Sequence, residues 1–239
     1  MTLVALALIA FLAFATEGAI GFGSTLIIAS IGAQLVPLDV LLPAFIPVSL
    51  ALSAVLVART YDAIAWRTLL VAIAPVVAIG TIGGLVLAHL PAQHILAGGL
   101  GAFVVVLAVL QLARPAAGAL PVAWQRVMLL VGGIAHGLFG TGGPMIVYVA
   151  KRQLGDKRTF RATLAVLWFV LNLALVANYA VLGLYTRSVA GHLGVLAVML
   201  PPGLVLGERL HHAMDPTKFE RVVWTVLLLA GGALLVRSL

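Results

Sequence analysis

The sequence predicts an all-α polytopic membrane protein of two inverted repeats, each with one re-entrant helical hairpin plus three transmembrane helices. Three observations predict it. The chain is 63% hydrophobic and 9% charged, with a mean hydropathy of +1.21, and apolar stretches long enough to cross a bilayer recur along it. A glycine-rich motif occurs twice. The Lys and Arg residues fall in short loops between apolar runs, as the positive-inside rule requires.

The repeated motif comes first because the rest of the interpretation depends on it. Residues 16–24 read T-E-G-A-I-G-F-G-S, and residues 135–143 read A-H-G-L-F-G-T-G-G. In this register Glu17 aligns with His136, and the three glycines of the first copy align with glycines in the second. Two glycine-rich breaks in hydrophobic sequence are typical of the discontinuous helices of repeated transporters.

The segments follow from the apolar runs and the breaks between them. We expect a first repeat over residues 1–112, a cytoplasmic linker over 113–123 that is rich in Pro and Gly, and a second repeat over 124–239. The first repeat holds a re-entrant hairpin at 3–36, whose first helix is expected to end at Glu17, and spans at 40–58, 68–89 and 93–112. The second holds a re-entrant hairpin at 124–152, whose first helix is expected to end at His136, and spans at 162–182, 189–207 and 219–236. A basic loop is expected at 151–161, and another loop that contains His211 and His212 is expected before the last span.

The distribution of basic residues favours re-entrant hairpins over segments that cross. If both hairpins return to the face they enter from, only Arg187 and Arg237 of the fourteen Lys and Arg residues lie opposite the others. If both segments cross, the basic residues divide almost evenly. The count fixes only the second hairpin, since no Lys or Arg precedes Arg59. The repeat extends the geometry to the first hairpin and predicts a multi-pass inner-membrane protein with both termini in the periplasm.

The two breaks predict a site for a small anion. The second arms of the hairpins begin at the breaks, and helix N-termini present unpaired N–H groups and the positive end of the helix dipole. Glycines let the backbone approach a ligand closely. The alternative is that the glycines only permit tight helix packing. The predicted substrate-binding residues are Gly21, Gly23, Ser24, Thr25, Gly140, Thr141, Gly142, Gly143 and Asn172.

Asn172 is included because it is polar within an apolar span. Trp168 lies one turn before it, and Ser49 and Ser53 occupy the matching places in the first half. These side chains are predicted either to line a polar path or to join helices by hydrogen bonds.

Glu17 and His136 are the predicted proton-coupling residues. An ionisable side chain inside an apolar segment is costly and is by default a functional hypothesis. The pair could bridge one another, and the imidazole could carry a proton coupled to transport. The alternative is a structural hydrogen bond at the end of a half-helix.

Other functions find little support in the sequence. There is no cysteine, so no disulfide or thiolate metal site is predicted, and six scattered histidines form no metal motif. We predict no cofactor, no metal, no nucleic-acid partner and no enzymatic activity, because no nucleotide loop or nucleophile–base pair is present. The expected partners are a small anionic substrate and membrane lipid. A homodimer is a further expectation, since the Gly-x-x-x-Gly pairs at 80–84 and 203–207 could pack within one subunit or between two.

The doubled pattern resembles the sulfite exporter (TauE/SafE) family of membrane transporters. The resembling residues are E-G-A-I-G-F-G-S from Glu17, H-G-L-F-G-T-G-G-P from His136, and the glycine-rich spans at 80–84 and 202–207. The first motif departs from the family pattern in having Ser24 where a glycine is expected. The resemblance implies export of sulfite, sulfonates or related organic anions across a bacterial inner membrane. Some relatives import thiosulfate through cysteine-lined paths, a mechanism that this chain lacks.

The residues predict a secondary transporter of small anions in which Glu17 and His136 couple transport to protons, and the resemblance implies that the anion is sulfite, a sulfonate or a related organic anion. The alternative is a passive anion channel that uses the same site. Dependence of flux on a proton gradient separates the two, because a channel shows none.

Overall fold

The computed structural model describes residues 2–88, 93–113 and 121–213, together with single residues between 215 and 236. Within these residues every regular element is helical. The helices are α1 (Thr2–Ile20), α2 (Ser24–Ile31), α3 (Leu38–Thr60), α4 (Ala74–Leu87, preceded by a π-helical turn at Thr68–Ile73), α5 (Gln93–Ala113), α6 (Val122–Phe139), α7 (Gly143–Gln153), α8 (Lys157–Val181) and α9 (Arg187–Ala213).

Six helices of the described part of the chain are long and apolar enough to cross a membrane, judged by length and composition. They are α1, α3, the segment from Thr68 to the end of α4, α6, α8 and α9. The prediction of an all-α polytopic membrane protein is therefore confirmed. Most of the expected linker at 113–123 and most of the expected last span at 219–236 lie outside the described residues.

The first arms of the two glycine-broken segments are longer than the sequence suggested. We expected helices ending at Glu17 and His136, but α1 continues to Ile20 and α6 to Phe139. Gly18 and Gly137 belong to these helices and not to the breaks. The reason is packing, since each of these glycines lies against the backbone of a neighbouring helix.

Glycines join α1 to α9. A Cβ on Gly207 would lie 2.8 Å from the Cα of Gly18, and a Cβ on Gly203 would lie 2.8 Å from the Cβ of Phe14. Backbones this close leave no room for larger residues, as at small-residue helix contacts in membranes. Since Phe14 precedes Gly18 as Gly203 precedes Gly207, the two helices run parallel.

The same arrangement joins α4 to α6. A Cβ on Gly80 would lie 3.0 Å from the Cα of Gly133, and a Cβ on Gly84 would lie 2.9 Å from the Cα of Gly137. These helices are also parallel. Each Gly-x-x-x-Gly pair thus packs against a helix of the other half of the same chain, and neither pair supports the predicted homodimer.

Helices α3 and α8 pack antiparallel between these two pairs. The Asn172 amide donates to the Ser49 hydroxyl at 3.2 Å, and Arg158 at the start of α8 pairs with Asp62 just after α3 at 2.6 Å. Helix α3 continues through Pro43 and Pro47.

Several helix ends meet at one end of the molecule, which we call the basic end. Arg59 in the last turn of α3 pairs with Glu208 of α9 at 2.7 Å. The imidazole Nδ1 of His211 in α9 donates to the carbonyl of Ala19 in α1 at 2.7 Å. His211 and His212 lie within α9 and not in a loop as expected. The expected basic loop at 151–161 is short, because Asp156 caps the start of α8.

Candidate functional site

The first glycine break joins α1 to α2 through Gly21 and Gly23. Both have positive φ angles, +85° and +102°, which residues with a Cβ rarely adopt. The Gly21 amide donates to the carbonyl of Glu17 at 2.7 Å and closes α1. No side chain caps α2, so its first amides, from Ser24 onward, have no partner within the helix.

The second break joins α6 to α7 through residues 140–142. Gly140 has a φ of +65°, and its amide donates to the carbonyl of His136 at 2.7 Å. A Cβ on Gly142 would collide with the carbonyl oxygen of Gly132, so only glycine fits there. Helix α7 also begins without a side-chain cap and has a proline in its first turn.

Helices α6 and α7 fold back on one another as an antiparallel hairpin. The amide of Gln153 at the end of α7 donates to the Gln125 side-chain oxygen near the start of α6 at 2.8 Å. Closer to the break, a Cβ on Gly132 would lie 2.9 Å from the Cγ1 of Ile146. The first amides of α7 are therefore held beside the end of α6.

The two breaks meet. A Cβ on Gly140 would lie 3.2 Å from the Cγ2 of Thr25, and one on Gly143 would lie 3.6 Å from the Cδ2 of Phe22. A cavity of about 30 Å³, which we call the central cavity, lies at this junction; it has room for about two water molecules. Its lining residues are Glu17, Phe22, Gly23, Thr25, Leu26, Ser49, His136, Gly140, Thr141, Gly142, Gly143, Trp168 and Asn172.

Gly21 and Ser24 are the two predicted site residues that do not line the central cavity. Each instead forms a hydrogen bond with a residue that lines the cavity. The Gly21 carbonyl accepts a hydrogen bond from the Trp168 indole at 3.1 Å, and the Ser24 hydroxyl donates to the Glu17 carboxylate. The structure thus gathers the other predicted residues, while their role in binding stays a prediction.

Glu17 and His136 both line the central cavity but do not bridge one another. The Glu17 side chain is 3% exposed and is bonded to Ser24. The His136 ring is 2% exposed and stacks on Trp168, with ring centroids 5.9 Å apart. Neither imidazole nitrogen has a hydrogen-bond partner in the structure.

Unused polar atoms distinguish this cavity from an ordinary packing defect. Both nitrogens of His136 and the Oδ1 atom of Asn172 are buried without a partner, and buried polar groups are nearly always bonded to something. Together with the uncapped starts of α2 and α7, they offer donors and acceptors to a small polar guest. None of the lining residues is Lys or Arg, so the donors are amides and uncharged side chains.

Phe22, Leu26 and Arg161 were not among the predicted site residues. Phe22 had a local signal, because it lies between two glycines of the first motif. Arg161 had none. It reaches the site by packing of α8 against the first break, where its Cγ lies 3.4 Å from the position of a Cβ on Gly21. The described residues hold no group of three His, Asp or Glu side chains placed to bind a metal ion.

A family model described as "Sulfite exporter TauE/SafE" matches residues 6–234, a range that contains both breaks and the central cavity. The chain belongs to the sulfite exporter TauE/SafE family. Comparison with curated proteins and with solved structures gave no match. As a TauE/SafE protein, the chain is a multi-pass membrane transporter of sulfite or related sulfur-containing anions, and not an enzyme.

Proposed function

We propose that the protein is a secondary transporter that exports sulfite, a sulfonate or a related small anion across the inner membrane, and that the anion binds in the central cavity. One observation carries the proposal. The two copies of the glycine motif, far apart in sequence, line the same cavity, together with buried polar atoms that have no partner.

The directions of the helices support the inverted repeat. Helices α1, α3 and α9 all finish at the basic end, as the His211–Ala19 and Arg59–Glu208 contacts indicate. Since α1 and α3 run the same way, α2 has to return the chain between them. That is the course of a re-entrant hairpin and not of a segment that crosses. Three spans after each hairpin then invert the second half relative to the first, with the basic end cytoplasmic and both termini periplasmic.

In this proposal the guest is held mainly by backbone amides. The uncapped starts of α2 and α7 supply N–H groups, and Thr25, Thr141 and Asn172 supply side-chain donors. Anions bind readily at helix N-termini because the amides and the dipole act together. A site without Lys or Arg also holds an anion weakly enough to release it, which a transporter needs.

Glu17 is the proposed proton carrier. It is the acid in the cavity wall, and its carboxylate would repel an anionic guest unless it were protonated. Binding of the anion and protonation of Glu17 are therefore linked. His136, whose ring nitrogens are unused, is the second proton-coupling residue of the proposal.

A carrier fits the cavity better than the alternative of a passive channel. The cavity is small, and the side chains of Glu17, His136, Thr141 and Asn172 in its wall are buried. An open pore would expose such groups to water, whereas a carrier closes over its substrate between the two faces.

Flux into and out of proteoliposomes tests the proposal. We expect transport of sulfite and short sulfonates, less of sulfate and carboxylates, and stimulation by a proton gradient. Sulfite flux that ignores the proton gradient would favour the channel. Absence of flux for every sulfur-containing anion would reject the proposed function.

Glu17→Gln tests the proton carrier. The amide keeps the size of the side chain and can still accept from Ser24, but it cannot exchange a proton. We expect sulfite counterflow to persist while stimulation by the proton gradient is lost. Asp62→Asn is the matched control, because the Asp62 carboxylate is 65% exposed at the basic end and does not line the cavity. Unchanged gradient dependence in Glu17→Gln would contradict the assignment.

A further inference from the structure

A second and larger cavity lies at the basic end. Its volume is about 150 Å³, five times that of the central cavity, and we call it the basic vestibule. The residues that line it are Ala19, Ile20, Lys151, Leu154, Gly155, Asp156, Lys157, Phe160, Arg161 and His211. None of the predicted site residues belongs to it.

The charges of the vestibule favour an anion. Lys151, Lys157 and Arg161 contribute three cations. Asp156 is the acid in the lining, and its carboxylate already accepts from two backbone amides at the start of α8, both at 2.9 Å. His211 uses Nδ1–H on the carbonyl of Ala19, which leaves its other ring nitrogen for a ligand.

Of these cations, Arg161 gives the strongest indication of an anion site. Its side chain is only 12% exposed, its Nε has no hydrogen-bond partner, and its nearest carboxylate, that of Glu208, is 3.9 Å away. A buried guanidinium normally has its donors satisfied by a well-aligned anion. Here that geometry is missing from the protein itself.

The apolar part of the wall restricts the kind of anion. Ile20, Leu154 and Phe160 face the same space as the cations. An inorganic ion would leave this surface uncovered, whereas a short alkyl or aryl group would bury it. Pockets that combine apolar walls with a few placed polar groups are typical of sites for small organic ligands.

The vestibule adjoins the central cavity through one layer of residues. Arg161 lies against Gly21, whose carbonyl accepts from Trp168, and Trp168 stacks on His136 in the central cavity. Arg161 is also within electrostatic range of Glu17. The first glycine break is thus the wall between the two cavities.

We propose that the basic vestibule is a binding site for a small organic anion with a short apolar group, such as an alkanesulfonate, which Arg161 holds next to the first glycine break before the anion passes to the central cavity. The proposal rests on the proposed function for its second step, the transfer, but not for its first, the binding.

Binding of ethanesulfonate to the purified protein, measured by calorimetry in nanodiscs of uncharged lipid, tests the first step. We expect Arg161→Gln to weaken binding by at least about tenfold, because one charge-assisted contact to the anion is lost. Arg158→Gln is the matched control, because Arg158 lies three residues earlier on α8, is 64% exposed and points to Asp62. Ethylammonium should not bind to either protein.

Four outcomes decide the first step. Weaker binding in Arg161→Gln but not in Arg158→Gln supports the vestibule. Equal binding in all three proteins overturns it, and so does binding that is insensitive to Arg161→Gln but lost in Thr141→Val, a variant of the central cavity. Nanodiscs with anionic lipid distinguish the source of the ligand, since competition by the lipid headgroups with Arg161 intact would assign the vestibule to lipid and overturn the proposal for a soluble anion.

Transport separates this proposal from the proposed function. We expect Arg161→Gln to raise the KM for ethanesulfonate presented at the basic end and to leave the KM from the opposite face unchanged. A variant that raises both equally would contradict a role on one side. If ethanesulfonate binds through Arg161 but no anion is transported, the vestibule stands and the proposed function fails.

Discussion

Gly142 shows how tightly the second break is held. A Cβ on this residue would collide with the carbonyl oxygen of Gly132. That oxygen belongs to the backbone of α6, so it cannot move away as the end of a flexible side chain could. The residue therefore fixes the distance between the end of α6 and the start of α7. The cavity wall at Thr141 and Gly143 depends on that distance.

Gly142→Ala is expected to destabilise the protein by at least about 1–3 kcal/mol, as overpacking at a buried position does, and to abolish sulfite flux. Unfolding in detergent, followed by tryptophan fluorescence, measures the first effect. Gly191→Ala is the control, since a Cβ there meets nothing within 4 Å and Gly191 lines neither cavity. Equal melting temperatures for the two variants would show that the break is not tightly packed.

Asp156 gives a pH-dependent prediction outside the membrane. Hydrogen bonds from Thr159 and from the amides at the start of α8 hold the pKa of this carboxyl below its ordinary value. Because the pKa of Asp156 is lower in the folded state than in the unfolded state, the ionised carboxylate stabilises the fold fully at pH values above the unfolded-state pKa. This stabilisation is lost as the pH falls through the folded-state pKa. We expect Asp156→Ala to lower the melting temperature at pH 7, and the difference from wild type to shrink below about pH 4. Asp156→Asn can still cap the helix, so its melting temperature should lie between those of wild type and Asp156→Ala. A difference in melting temperature between wild type and Asp156→Ala that does not change with pH would contradict this prediction.

Some of the site could be predicted residue by residue. The offset between the two motifs was enough to pair Glu17 with His136, and both residues line the central cavity. It could not reveal that Ser24 bonds to Glu17, or that His136 stacks on Trp168. The first contact depends on the conformation of the break itself, and the second depends on how α8 packs against the breaks. No local sequence pattern predicts either.

At the scale of elements, the glycine contacts between helices determine the arrangement. Helix α1 packs on α9, and α6 packs on α4, through glycines spaced four apart. The spacing is visible in the sequence, but whether it joins helices of one subunit or of two is not. The predicted ends of α1 and α6 were too early, because Gly18 and Gly137 are contacts between helices and not breaks.

Gly84→Ala tests the α4–α6 contact. The new methyl group would collide with the carbonyl of Ile134, so we expect a loss of about 1–3 kcal/mol and a lower melting temperature in detergent. The neighbouring Gly83→Ala is the control, because its nearest atom is 4.0 Å away and alanine is the better helix former. A Gly83→Ala variant less stable than Gly84→Ala would contradict the parallel packing described here.

At the scale of the whole molecule, the helices of the two halves exchange partners, as the proposed two-fold relation requires. Helix α1 packs on α9, α6 packs on α4, and α3 packs on its counterpart α8. The number of apolar helices could be read from the sequence, since length and hydropathy decide it. Which helices pack together could not be read from the sequence, because a glycine-rich helix face does not specify which other helix it contacts.

Thiol labelling tests the proposed inversion, and the absence of native cysteine makes it simple. We would place single cysteines at Leu35, just after the return arm of the first hairpin, and at Gly155, just after the second. In inverted hairpins the first is labelled from the periplasm and the second from the cytoplasm. Labelling of both from the same side would reject the two inverted repeats.

The pairing of α1 with α9 has a consequence for biogenesis. The ribosome makes α1 first, yet the surface that α1 packs against is synthesised only after some 170 further residues, from the end of α1 at Ile20 to the start of α9 at Arg187. Until then the face of α1 at Gly18 lacks the helix that covers it. Packing of α1 is therefore completed only after α9 has entered the bilayer.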